Sequence, residues 1–156
     1  EWNIMGLFDI FKKNESATPA AAPAAPAGDS VSSAGIDFMA AIEAHVRWKV
    51  RLESYIDGTT TEKLDVEVVG MDNQCPLGKW IYGIGGDKYN ANPLFQEIRG
   101  IHADFHTCSA GVMRQSDAGD KEGAAEALRR GEHFKLSQRI KAKLARLHME
   151  LKGSED

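Results

Sequence analysis

The chain has 156 residues and a formal net charge of −4, with 19 lysines and arginines against 23 aspartates and glutamates. This length supports one domain with appendages, and an acidic balance without a basic block excludes the usual nucleic-acid footprint. No apolar run approaches the ~20 residues that cross a bilayer. The two cysteines, with no secretory leader ahead of them, make no disulfide framework, so the cytoplasm is the expected compartment.

Residues 1–4 precede Met5-Gly6, which reads as a natural start, so they are expected to be an expression scar. Residues 1–13 form an amphipathic tag, in which Leu7, Phe8, Ile10 and Phe11 are followed by Lys12-Lys13. Residues 5–13 read either as a docking segment for a protein or, weakly, for a membrane, or as a frayed terminus; two to three helical turns are too few for firm bilayer binding. Ile10 stands where a myristoylation signal needs Ser or Thr. Residues 14–34 are rich in alanine and proline, as in Thr18-Pro19-Ala20-Ala21-Ala22-Pro23. Such a stretch buries too little to offset its ordering entropy and predicts a flexible linker ahead of a folded domain over residues 35–152.

Within that domain, Phe38, Ala41, Ile42, His45, Trp48, Leu52, Tyr55 and Ile56 recur at three and four and predict a helix over 36–56, ended by Asp57-Gly58. Residues 59–74 predict irregular structure or a short helix, since the alternation of Leu64 to Val69 has no partner strand. Cys75-Pro76 predicts an N-cap and first helical residue for a short helix to about Tyr82. Gly83 to Asp87 reads as a turn; without a following Lys-Ser or Lys-Thr it makes no phosphate cradle. Asn92-Pro93 starts the next helix, whose core stripe is Leu94, Ile98, Ile101, Phe105, Cys108 and Val112. Phe95, His102, His106, Ser109 and Met113 form the neighbouring stripe. After a turn over 117–120, a last helix is expected over 121–151, loosened at Gly131.

Four residues of metal-ligand type fall on predicted inner faces: His45, Cys75, His102 and His106. His102 and His106 lie one turn apart on one helix face, close enough to share an ion. Cys75 at a helix start is placed where backbone N–H groups favour a thiolate, and Lys79 is expected to favour it further. A set of three histidines and one cysteine suits zinc; copper(I), nickel or cobalt also accept it. Four protein ligands fill a tetrahedron and leave no position for water, so an enzyme is not expected. His102-Ala103-Asp104-Phe105-His106 lacks the glutamate of the metalloprotease pattern, and Asp104 points about 200° from His102 around the helix. Cys108 is read as a core thiol, His133 and His148 as solvent-facing, and Trp48 and Trp80 as core aromatics near the metal.

With these residues in place, the chain resembles the chemoreceptor zinc-binding domain family of bacteria. His45-Val46-Arg47-Trp48 resembles its H-x-x-W opening, Cys75-Pro76-Leu77-Gly78-Lys79-Trp80 its C-x-L-G-x-W core, and His102 to His106 its closing H-x-x-x-H. The resemblance implies a helical bundle holding zinc through those four residues, and a regulatory role, since such domains are fused to chemoreceptors or diguanylate cyclases and respond to zinc or hypochlorous acid. The 156 residues contain neither a methyl-accepting coiled coil nor a cyclase, so output is expected through a signalling partner of chemotaxis or cyclic-di-GMP signalling, with a homodimer as a further expectation. The expected fold is all-α, a four-helix-type bundle with a short additional helix carrying the metal-binding cysteine. The expected function is sensing through Cys75 as the redox-responsive ligand; the alternative is a constitutive structural-zinc adaptor with no sensing role.

Overall fold

The computed structural model describes residues 33–154; the tag and nearly all of the predicted linker lie outside the described residues. Helices account for all the regular structure among them. The first, α1 (Phe38–Asp57), is capped by the Asp37 carboxylate, which accepts from the Ala40 N–H. It ends at Gly58, whose φ of 70° lets its N–H reach the carbonyls of Ser54 and Tyr55. Three short helices follow: α2 (Val66–Gly70), α3 (Pro76–Ile81) and α4 (Ile84–Tyr89). The long α5 (Pro93–Asp117) is capped by Asn92 with proline at its first turn. Helices α6 (Lys121–Arg129) and α7 (Glu132–Gly153) complete the chain.

The four-helix bundle consists of α1, α5, α6 and α7, with α5 packed against α6 and α7 and α1 across all three. Each inner stripe repeats at three and four: Leu52 and Ile56 on α1, Ile98, Phe105 and Val112 on α5, Leu136, Ile140, Leu144 and Leu147 on α7, all buried. Burying one such side chain contributes about 1.5–3 kcal/mol, which is why the stripes rather than helix propensity hold the bundle. Of the short helices, α2 lies directly on α5 and α3 packs against α4, with the Trp80 ring of α3 5.5 Å from that of Phe95 on α5. No helix among the described residues is long and apolar enough to cross a membrane.

Two elements depart from expectation. The stretch from Gly83 to Asp87 is not a turn: α4 begins at Ile84. A Cβ at Gly85 would stand 2.6 Å from the Trp80 ring, so the glycine lets α4 lie flat on that indole. The single last helix is instead two, broken at Arg130-Gly131, where Gly131 caps α7. A Cβ at Gly131 would meet the Ala127 Cα at 2.7 Å, so the chain turns there in close contact with the helix it leaves. That break supplies the fourth member of the bundle.

The domain is also tied at its start. The Trp80 indole N–H donates to the Ala34 carbonyl at 2.8 Å, and Ala34 is itself buried. Phe38 packs edge-on against the Trp80 ring at 5.7 Å. These contacts anchor α3 to the entry of α1.

Candidate metal centre

One histidine comes from α1, two come from α5, and the cysteine comes from the start of α3. His102 and His106 face the same way one turn apart on α5, with ring centroids 4.7 Å apart. The His45 ring meets them at 5.1 and 6.2 Å. Cys75 is the N-cap of α3; its Sγ accepts from the Gly78 N–H at 3.3 Å and lies 3.2 Å from His102 Nε2. One donor atom from each of the four residues lies within 4.8 Å of all the others. An ion bound at ~2.0–2.3 Å spaces tetrahedral ligands roughly 3.3–3.7 Å apart, so small side-chain rotations close the set.

Hydrogen bonds behind the rings fix which nitrogen faces inward. His45 Nδ1 lies 2.7 Å from the Ala41 carbonyl oxygen and His106 Nδ1 2.8 Å from that of Val69. A carbonyl only accepts, so both Nδ1 atoms carry protons and both Nε2 atoms present lone pairs. Those two Nε2 atoms are buried and have no hydrogen-bond partner. Buried polar atoms left unpaired cost about 1–3 kcal/mol each, and a cation among them removes that cost. The residues therefore fit a metal ion, and imidazole nitrogens with one thiol fit zinc.

The electrostatics agree. Burial holds His45 at about 4, well below its ordinary 6.5, and His102 at about 2. His106 is lowered as well, again chiefly by burial. All three are neutral near pH 7, as metal ligands must be. Cys75 corrects the expectation from sequence: burial raises its pKa, the Gly78 and Leu77 N–H groups pull it down, and Asp72 pushes it up again. Lys79 points to solvent and takes no part. A helix start alone does not make this sulfur a thiolate; a divalent cation beside it does.

The remaining positions divide. Trp48 and Trp80 are buried, Trp48 with its ring 6.2 Å from that of His106. Asp104 is exposed. Cys108 is half-buried at the edge of the core and outside the donor cluster. His133 is not solvent-facing but 1% exposed, against the Phe105 ring at 4.8 Å and with Nε2 3.2 Å from Ser109 Oγ. His148 is half-buried against Phe38. The charged sequence neighbours of both predict exposure, yet His133 stands three residues before Leu136, in register with the inner stripe. Sequence reading also passed over Asp72, whose Oδ2 lies 3.9 Å from His102 Nδ1, and the carbonyls of Ala41 and Val69. Backbone acceptors leave no side-chain signal.

A family model, the chemoreceptor zinc-binding domain, matches residues 45–113, which span all four donors. The resemblance carried by the three motifs is thus met by an independent comparison, and zinc is the ion on which donor set and family agree. No curated protein and no solved structure gives a significant match.

Proposed function

We propose that this zinc-binding domain is a sensory or regulatory module in which Cys75 is the responsive ligand. The observation that carries this reading is an asymmetry among the donors. His45, His102 and His106 are 0–2% exposed, whereas Cys75 is half-buried at the start of a six-residue helix. A small oxidant therefore meets the sulfur before it meets any imidazole. The sulfur attacks the chlorine of hypochlorous acid and hydroxide leaves; water then displaces chloride, giving a sulfenic acid with two electrons lost from sulfur. A sulfenic acid is a weaker ligand than a thiolate. Loss of one ligand in four loosens the start of α3 around Cys75 and leaves the helix held by its buried Leu77, Trp80 and Ile81 alone.

Output is proposed to pass to a signalling protein of the chemoreceptor or diguanylate cyclase kind, in the reducing cytoplasm where such a thiol starts in its reduced form. The centre is proposed to be non-catalytic, because four protein donors leave no site for substrate or water. The rival reading, a constitutive structural zinc in an adaptor, is favoured by the burial that raises the Cys75 thiol.

Titration of the zinc-loaded chain with hypochlorous acid beside a chromogenic chelator decides between them. Release of about one zinc per chain near stoichiometric oxidant, abolished in Cys75→Ser reloaded with zinc, is the expected result. Retention of zinc by the wild type under the same titration overturns the sensing reading and leaves the structural one.

A further inference from the structure

The three imidazoles are not supported alike. His45 and His106 each donate Nδ1–H to a backbone carbonyl, at 2.7 and 2.8 Å. His102 has no such partner: its Nδ1 is buried and unpaired, in a side chain 0% exposed. Its Nε2 faces Cys75 Sγ, so Nε2 is the ligand atom and Nδ1 must carry the proton. That N–H needs an acceptor. Asp72 Oδ2 stands 3.9 Å away, about an ångström beyond hydrogen-bond range.

The same oxygen is gripped from outside. Tyr82 donates its hydroxyl to Asp72 Oδ2 at 2.6 Å, and the Arg99 guanidinium sits over the Tyr82 ring at 5.0 Å. A carboxylate oxygen can accept from both the phenol and the imidazole. Asp72 and Tyr82 flank α3, three residues before Cys75 and seven after it, so their bond closes a clasp around the helix that presents the sulfur. The backbone is drawn tight inside the clasp: a Cβ at Gly78 would stand 1.7 Å from the Asp72 carbonyl oxygen.

We propose that Asp72, held by Tyr82, is the positioning residue of the zinc site, accepting the Nδ1–H of His102 when the ion is bound and fixing α3, with Cys75, against α5. It supplies to His102 what Ala41 and Val69 supply to the other two histidines. Second partners of this kind orient the ring and raise ligand basicity, and their loss typically costs 10–100-fold in metal affinity. The inference rests on the zinc site and holds whether or not oxidation releases the ion.

The test uses the full chain with Asp72→Ala, Asp72→Asn and Tyr82→Phe, zinc affinity being read by chelator competition. Asp72→Ala is expected to bind zinc roughly 10–100-fold more weakly. Asp72→Asn, which keeps an acceptor oxygen, should recover part of the loss, and Tyr82→Phe should fall between it and wild type. A readout that general destabilisation would not move is the long-range ¹H–¹⁵N spectrum of the zinc-loaded protein. In Asp72→Ala the His102 Nδ1–H signal should broaden into exchange while those of His45 and His106 persist. Equal affinity in wild type and Asp72→Ala overturns the inference, as does an unchanged His102 signal or the simultaneous loss of all three. No zinc uptake by wild type overturns the site itself and this inference with it.

Discussion

His106 donates its Nδ1–H to the Val69 carbonyl oxygen at 2.8 Å, joining a metal-facing ring on α5 to the last turn of α2. Carbonyls in a last turn have no intrahelical donor, so the imidazole satisfies the helix end while the helix end orients the imidazole. Neither α2, with five residues, nor α3, with six, is long enough to be stable by itself.

Zinc and the two short helices should therefore be coupled. Removing zinc with a chelator is expected to speed amide exchange in residues 66–70 and 76–81 roughly tenfold or more, as local opening becomes easier. Amides of α7, which supplies none of the four donors, should stay protected. Uniform acceleration across the chain would show that the ion supports the bundle as a whole.

A second expectation concerns the backbone under the cysteine. In Gly78→Ala the new methyl would meet the Asp72 carbonyl at 1.7 Å, a backbone atom that cannot move aside cheaply. The variant should lose about 2–3 kcal/mol of stability and bind zinc more weakly, because Cys75 is displaced. Gly111 on α5 is the control. Nothing lies within 4 Å of a Cβ there, so Gly111→Ala should be neutral or stabilising by about 0.5–1 kcal/mol. Urea unfolding of both variants, with and without zinc, checks the pair.

Much of this was legible before the fold. The three-and-four stripes gave α1 and α5, Asp57-Gly58 and Asn92-Pro93 gave ends, and Cys75-Pro76 gave a helix start, because each signal is local and carried by a side chain. The donors could be placed together because His45, His102 and His106 each occupied an apolar stripe, where a polar ring is costly without a partner. What was not legible depends on contact. The helical state of Ile84–Tyr89 follows from two glycines that let it press on α3, and glycines alone read as a turn. The acceptors of Ala41 and Val69 are backbone atoms. Asp72 is one acid among many until Tyr82 is seen to hold it.

The two thiols should differ in what their oxidation does. Cys108 is half-buried, its pKa raised by burial and by Glu132, and it lies outside the donor set. Cys108→Ser should therefore keep the zinc affinity of wild type and the same oxidant titration curve, with a stability change within about 1 kcal/mol. Mass spectrometry after stoichiometric hypochlorous acid should find oxidation at Cys75 first. Equal loss of response in Cys75→Ser and Cys108→Ser would mean that the two sulfurs act as a pair.

The last expectation is a pH dependence that belongs to no metal ligand. Ser109 donates its hydroxyl to the Phe105 carbonyl at 2.8 Å, so its oxygen accepts from His133 Nε2–H, leaving Nδ1 unprotonated, buried and unpaired. A proton there would place a charge in the core, and burial accordingly lowers His133 from 6.5 to about 4. In the unfolded chain the same ring takes its proton near pH 6.5. Between the two values the unfolded state holds more protons, so stability falls as pH falls, beginning near 6.5 and ending near 4. The gap corresponds to about 3 kcal/mol between pH 7 and pH 4. Urea midpoints across that range should drop in wild type. In His133→Asn, which keeps a donor for Ser109 but cannot titrate, the drop should be smaller by about one proton's worth of slope. Three metal-facing imidazoles titrate in the same direction in the metal-free chain, but wild type and variant share them, so the two proteins are compared with zinc stripped from both, at matched pH from 7 to 4. A shallower slope in the variant assigns the difference to His133; identical slopes in variant and wild type would mean that water reaches Nδ1 and that the ring is not held neutral by the core.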